Sequence, residues 1–280
     1  LKPKVIALDM DGTVLDASNQ VSPRLAELLS KWQTDHEVRL ILASGRTKQE
    51  IEDVLPETLQ PDGIVSANGM GSYLGDTTLA EHTLNAELVE RVIRAAGTER
   101  IYYEVHPLHG ERFSLKKDQA LFQEILTQKQ PNTLHDNELL ARQEAVKKDI
   151  QWTAAPSFEG HVKVYFFSMS TEKINDWKRR LEKEAVNFSF STSSSSMHNV
   201  EIMNAGVSKA TGIQMLLQKW GITPDQLMVV GDSENDLPMF QYAGRAVAMQ
   251  NAELHVKQAA DEVTTHGYKE DGLFRFLKEF

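Results

Sequence analysis

A chain of 280 residues, 41% hydrophobic and 25% charged, has room for one large domain or for a core carrying a second, and its near-average composition excludes disorder, collagen and coiled coil. A formal net charge of −10 argues against nucleic-acid or anionic-membrane surfaces, which need a basic footprint. There is no cysteine, so disulfides, thiolate zinc sites and cysteine nucleophiles are ruled out, and any metal must be held by oxygen or imidazole.

Residues 5–8 form an apolar run that ends in Asp9, too short for a secretion signal, and no stretch reaches the roughly 18 apolar residues of a membrane span. A cytoplasmic protein is expected. Residues 22–32 then carry helical spacing, opened by Ser22 as cap and Pro23 as first residue. A second apolar run, 39–43, leads into Ser44-Gly45-Arg46 and a helix over 47–55 that stops before Pro56; a third strand is expected at 63–67.

From about 85 to 191 the pattern is α+β: helix 86–96, strands 100–105 and 112–115, helices 116–128 and 139–148, strand 161–169, helix 171–184 and strand 186–191. The serine run at 191–196 suits a hinge or an ordinary surface loop, and the boundary is placed there. Strand, helix, strand, helix and strand follow at 228–230, 237–242, 246–249, 253–260 and 262–264. This alternation predicts an α/β protein: a Rossmann-like, doubly wound parallel sheet from residues 1–84 and 192–280, with an inserted α+β domain at 85–191. The chemically loaded segments each follow a core strand or open a helix, where open α/β sheets bind ligands.

Asp9-Met10-Asp11-Gly12-Thr13 places two carboxylates two residues apart where a buried strand emerges, which suits a hard cation or an acid/base pair. An EF-hand loop needs Gly at its sixth position and Glu at its twelfth; here Gly is fourth and Gln20 twelfth. Gly231-Asp232-Ser233-Glu234-Asn235-Asp236 is a second acidic cluster, and its Asp236 also suits the start of the helix that follows. Ser44-Gly45-Arg46 offers a hydroxyl, a close-approaching backbone and a guanidinium ahead of a helix N-terminus, a fitting phosphate seat. Lys209 opens a helix, an unfavourable place for a cation unless an anion lies nearby. His106 and His109 lack a carboxylate companion and read as surface loop residues; Tyr102, Tyr103 and Glu104 alternate on a strand, and Phe166, Phe167 and Met169 read as packing.

In this order, DMDGT at 9–13, SGR at 44–46, GVSKA at 206–210 and GDSENDLPM at 231–239 resemble the haloacid dehalogenase superfamily, specifically its Cof-type phosphatases with a large cap inserted between the second and third motifs. AVAMQNA at 246–252 and EDG at 270–272 resemble the family's ending, whereas 85–191 matches the cap only in position, size and character. Met10 and Met70 depart from the usual residues beside the site and bear on substrate fit. The resemblance implies a Mg²⁺-dependent phosphatase acting on a small phosphorylated metabolite, such as a sugar phosphate, nucleotide or phosphorylated cofactor. It implies Asp9 as nucleophile and Asp11 as general acid and base, with Ser44 and Lys209 holding the phosphoryl group. Gly45, Arg46, Asn68 and Asn235 would assist in binding, and Asp9, Asp11 through its main-chain carbonyl, Asp232 and, less directly, Asp236 would serve the metal. A phosphomutase or phosphotransferase on the same scaffold, or a non-catalytic phospho-ligand sensor, are the alternatives, and oligomeric state is left open.

Overall fold

The computed structural model describes residues 3–280 and divides them into two compact units. One runs to Glu81 and resumes over Val207–Phe280; the other is His82–Gly206. In chain order the first unit contributes β1 (Val5–Leu8), α1 (Pro23–His36), β2 (Arg39–Ala43), α2 (Lys48–Glu52), β3 (Gly63–Ser66), β4 (Gly71–Leu74) and β5 (Thr77–Glu81). The second unit follows with α3 (Ala86–Thr98), β6 (Tyr102–Pro107), β7 (Phe113–Leu115), α4 (Gln119–Leu126), α5 (Asp136–Glu144), β8 (Gln151–Thr153), β9 (His161–Phe167), α6 (Thr171–Glu184), β10 (Phe190–Ser193) and β11 (Asn199–Asn204). The first unit is completed by α7 (Lys209–Trp220), β12 (Leu227–Gly231), α8 (Leu237–Tyr242), β13 (Arg245–Ala248), α9 (Leu254–Gln258), β14 (Glu262–Val263) and α10 (Gly272–Leu277).

The first unit is built on an eight-stranded sheet in the order β14-β13-β12-β1-β2-β3-β4-β5. It is parallel from β14 to β3, and β4 and β5 extend it as antiparallel hairpins. Strand alternation sends Ile6, Leu8, Leu40, Leu42, Met228 and Val230 to one face, where they pack with Leu25, Leu29 and Trp32 of α1 and Leu273 and Leu277 of α10. Val5, Ala7, Ile41, Ala43, Leu227 and Val229 go to the other face, against Ile213, Leu216 and Leu217 of α7 and Met239 and Phe240 of α8. Burial on both faces is why these strands read as unbroken apolar runs. The expected doubly wound α/β core is therefore the one observed.

Local chemistry sets the helix ends. Ser22 Oγ accepts from Leu25 N at 3.3 Å and Pro23 occupies the first helical position of α1, as the sequence indicates. The helix continues to His36, stopping where Glu37 turns left-handed (φ 53°). The helix expected over 47–55 covers only Lys48–Glu52: Thr47 and Glu50 close a capping box at its start, and the chain leaves the helical path ahead of Pro56, whose ring disfavours a helical residue before it.

The second unit holds a six-stranded sheet in the order β10-β11-β9-β6-β7-β8, antiparallel except for the β7–β8 pair. It extends past the boundary expected at residue 191, because Asn199–Asn204 pairs between β10 and β9 as β11. The serine run is thus part of this sheet and not a hinge: residues 191–193 belong to β10, and the serines at 194–196 enter the turn that leads to β11. Its shape is fixed by Asn199, whose Oδ1 accepts from Ser195 N at 3.0 Å and whose Nδ2 donates to Ser196 Oγ at 2.9 Å.

Glu104 on β6 is the polar centre of this unit. Its fully buried carboxylate accepts from Tyr102 Oη at 2.6 Å, Arg112 at 2.8 Å and Arg142 at 2.5 Å, and lies 3.3 Å from His106 Nε2. Burial alone would raise its pKa, but the Arg142 guanidinium, then His106 and Arg112, hold it well below the usual value. His106 is therefore a buried strand residue with a carboxylate partner, contrary to the surface position expected for it; His109 is exposed. The partner was missed because the expected strand stopped at residue 105; β6 runs on to Pro107, and residues two apart on a strand share a face.

Candidate active site

The carboxyl ends of β1, β2, β3, β12 and β13 lie along one edge of the parallel sheet, and the loops leaving them carry the charged residues. Asp9 follows β1 directly and its backbone N–H bonds Val230 O at 2.9 Å, which ties it to the neighbouring strand β12. The turn Met10–Val14 then closes through Leu15 N to Met10 O at 2.9 Å. Gly12 sits in it at φ 80°, and a Cβ there would lie 2.1 Å from Asp232 Oδ2. Glycine is required both by the backbone angle and by the closeness of that carboxylate.

Lys209, fully buried at the first position of α7, donates to Asp9 Oδ1 at 2.6 Å and to Asp236 Oδ1 at 2.7 Å. The anions that compensate a lysine at a helix N-terminus are thus these two carboxylates. Burial works against the ammonium, yet Asp236 and Asp9 outweigh it and keep Lys209 charged above its ordinary range. The second oxygen of Asp236 accepts from Asp232 N at 2.9 Å and Ser233 N at 3.0 Å, so both of its oxygens are engaged within the protein. Asp232 in turn accepts from Ser233 Oγ at 2.8 Å and from Asn251 Nδ2 at 2.9 Å.

Asp11 and Arg46 form a two-pronged ion pair, with Arg46 Nη2 to Asp11 Oδ1 at 2.7 Å and Nε to Oδ2 at 2.9 Å. Crowding by the protein raises the Asp11 pKa, but the guanidinium prevails and holds it below the ordinary value, while about half of its side-chain surface stays exposed. Ser44 is wholly buried after β2; its Oγ accepts from Arg46 N at 3.2 Å and its carbonyl from Asn68 N at 2.9 Å. Asn68, left-handed at φ 56°, accepts from Asn235 Nδ2 at 3.1 Å. Gly45 lies between Ser44 and Arg46 on the same loop.

The residues singled out in the sequence therefore fall into linked groups: Asp9 with Lys209, Asp236 and Asp232; Asp11 with Arg46; and Asn68 with Asn235. Asn251, after β13, is the participant that charge and motif spacing did not single out. Its signals are its place in the loop after a parallel strand and within the AVAMQNA stretch at 246–252.

The electrostatics are unbalanced. Four carboxylates, Asp9, Asp11, Asp232 and Asp236, face two cations, Lys209 and Arg46. Burial, with Asp236 and Asp11 adding to it against Lys209, pushes Asp9 up to about 7. Burial, then Asp9 and Asp236, also raises Asp232 well above the usual value. Asp9, Asp232 and Asp236 offer oxygens all within 4.8 Å of one another. An all-oxygen donor set with excess negative charge fits a hard divalent cation.

The fold and site together define a hydrolase of the doubly wound α/β type. Residues 6–277 match the haloacid dehalogenase-like hydrolases, and the chain belongs to that family. It is 27% identical to the Bacillus subtilis 5-amino-6-(5-phospho-D-ribitylamino)uracil phosphatase YwtE, over 99% of this chain and 97% of that one. Among solved structures, a haloacid dehalogenase-like hydrolase from B. subtilis superimposes with a TM-score of 0.82 at 25% identity, covering 99% of both chains. The subclass IIB sugar phosphatase BT4131 shares the fold with a TM-score of 0.70 at 20% identity, covering 99% of this chain and 98% of its own. No helix among the described residues is long and apolar enough to cross a membrane.

Proposed function

We propose that the chain is a Mg²⁺-dependent phosphatase that takes phosphate from a small phosphorylated metabolite onto Asp9 and then releases it to water, in the cytoplasm. The carrying observation is the cluster of Asp9, Asp232 and Asp236 with Lys209 2.6 Å from Asp9. Asp9, Asp232 and the main-chain carbonyl of Asp11 would hold the ion, with Asp236 bracing Lys209 and the Asp232 loop from behind. When bound, Mg²⁺ neutralises charge on the phosphoryl oxygens and on the carboxylates around it.

With Asp9 Oδ1 held by Lys209, its Oδ2 attacks phosphorus and the ester P–O bond breaks. Asp11 gives its proton to the leaving oxygen. It then takes one from water as that water attacks phosphorus, breaking the Asp9–phosphorus bond and freeing phosphate. Lys209 and Ser44 bind phosphoryl oxygens, assisted by Gly45 N–H, Asn68 and Asn235. Because Asp11 is paired to Arg46 at 2.7 Å, Arg46 must shift toward the phosphate before Asp11 acts as an acid. Uncatalysed monoester hydrolysis is slow enough for accelerations up to ~10²¹, so this charge matching carries much of the catalysis.

The second unit, His82–Gly206, is proposed to decide which metabolite is accepted. The test is phosphate release from a panel of phosphorylated metabolites with and without Mg²⁺, headed by 5-amino-6-(5-phospho-D-ribitylamino)uracil because YwtE is named for it. Wild type is expected to release phosphate only with Mg²⁺, and Asp9→Asn to be inactive but folded. Wild-type rates in Asp9→Asn would remove the nucleophile; isomerised product in place of free phosphate would make the enzyme a mutase.

A further inference from the structure

We propose that Asn251 is a positioning residue for the cation site, its side-chain amide fixing the Asp232 carboxylate against the loop that carries Asp9 and Asp11. This rests on the divalent-cation reading above and extends it to a residue with no charge and no ligand role of its own.

Three contacts place the Asn251 amide. Nδ2 donates to Gly12 O at 3.0 Å and to Asp232 Oδ2 at 2.9 Å, and Oδ1 accepts from Tyr268 N at 3.0 Å. The orientation of an Asn amide is ordinarily ambiguous, but here two partners are backbone groups of fixed character. A main-chain N–H must face Oδ1 and a main-chain carbonyl must face Nδ2. The group turned toward Asp232 is therefore a donor. Both amide protons and the carbonyl are used, so rotating the side chain would break three bonds at once.

The consequence falls on Asp232. Ser233 Oγ holds its Oδ1 at 2.8 Å while Asn251 holds Oδ2, so the carboxylate plane is set from both ends and each oxygen keeps lone-pair capacity for a cation. Neither partner is charged, so neither cancels the negative charge that the ion needs. The same amide joins Gly12, one residue after Asp11, to the Asp232 loop, and Gly12 has no Cβ to hold that loop away. Loops from β1, β12 and β13, together with the turn at Tyr268, are thereby locked in register by one side chain. Hydrogen-bonded partners of metal-binding carboxylates act in this way, orienting them without touching the ion.

The experiment is isothermal titration of Mg²⁺ into the 280-residue chain without substrate, comparing wild type, Asn251→Ala and Asn251→Ser, with Gln250→Ala, an exposed neighbour, as control. Asn251→Ala should raise the Mg²⁺ dissociation constant by roughly 10–100-fold. The Mg²⁺ concentration for half-maximal phosphate release should rise by a like factor, with a much smaller change in rate at saturating Mg²⁺. Gln250→Ala should bind as wild type does, and metal-free far-UV circular dichroism should match for all four proteins. If wild type binds no Mg²⁺, the cation reading itself fails. If wild type binds and Asn251→Ala binds equally well, only the role given to Asn251 fails. Should the alanine variant not fold, the serine variant gives the same reading; failure of both to fold would make Asn251 a structural residue and overturn the proposal.

Discussion

Replacing Glu104 by Gln keeps the volume of the side chain and removes the charge at the centre of the second unit. The carboxylate is fully buried and serves Tyr102, Arg112, Arg142 and His106 together. Removing one member of a buried ion pair costs about 3–5 kcal/mol, because the partner is left charged and uncompensated. The structure places this case at the lower end. Arg112 retains Asp149 at 3.1 Å, and Arg142 still lies 4.5 Å from the Tyr165 ring centroid, so neither guanidinium is wholly abandoned. A loss of about 3 kcal/mol, at roughly 2–4 °C per kcal/mol, lowers the midpoint for this unit by about 6–12 °C in scanning calorimetry at pH 7. The sign of the pH dependence follows from a folded-state pKa held below the unfolded one. The stabilisation is complete above the ordinary Glu value and is lost as pH falls through the lower folded value. Wild type and Glu104→Gln should therefore remain different at about pH 5, where the carboxylate still faces Arg142, Arg112 and His106, and converge only in more acidic solution. A difference below about 1 kcal/mol at pH 7, the size of a surface pair, would refute the assignment of Glu104 as the unit's electrostatic centre.

Gly12→Ala is expected to lower both stability and Mg²⁺ affinity, since the new Cβ would meet Asp232 Oδ2 at 2.1 Å on a backbone already at φ 80°; denaturant unfolding and titration calorimetry read the two effects separately. Arg46→Ala removes the cation that holds Asp11 down, so the Asp11 pKa should rise, as followed by carboxyl carbon NMR; an unchanged or lowered value would show that the ion pair is not its determinant.

The parallel core was legible because its strands are buried on both faces. Val5–Leu8 and Leu227–Gly231 show no polar interruption until the loops that carry Asp9 and Asp232. Those loops were legible for the complementary reason: a carboxylate directly after such a run is costly unless it has work or a partner. The hairpin of β4 and β5 went unread, since Thr77, Thr78 and Glu81 leave one strand polar and the pairing depends on a turn at Gly75. β11 was masked by the serines before it, whose composition suggests looseness although Asn199 pins them. Asn251 could not be weighed from sequence, as its value comes from Gly12, Asp232 and Tyr268, remote from one another along the chain. The Arg46–Asp11 pair was likewise invisible, each residue having been assigned separately to the phosphate and to proton transfer.

The two margins of the large sheet are unlike its interior. One ends in β14, only two residues long, whose Glu262 pairs with Arg245 of β13 at 2.6 Å; the other ends in β5, whose side chains are threonine, leucine, alanine and glutamate. A brief strand and a polar one offer poor templates to an incoming strand of another molecule. The apolar ladder that aims the carboxylates is in this way fenced at both borders, which works against copies joining edge to edge through this sheet.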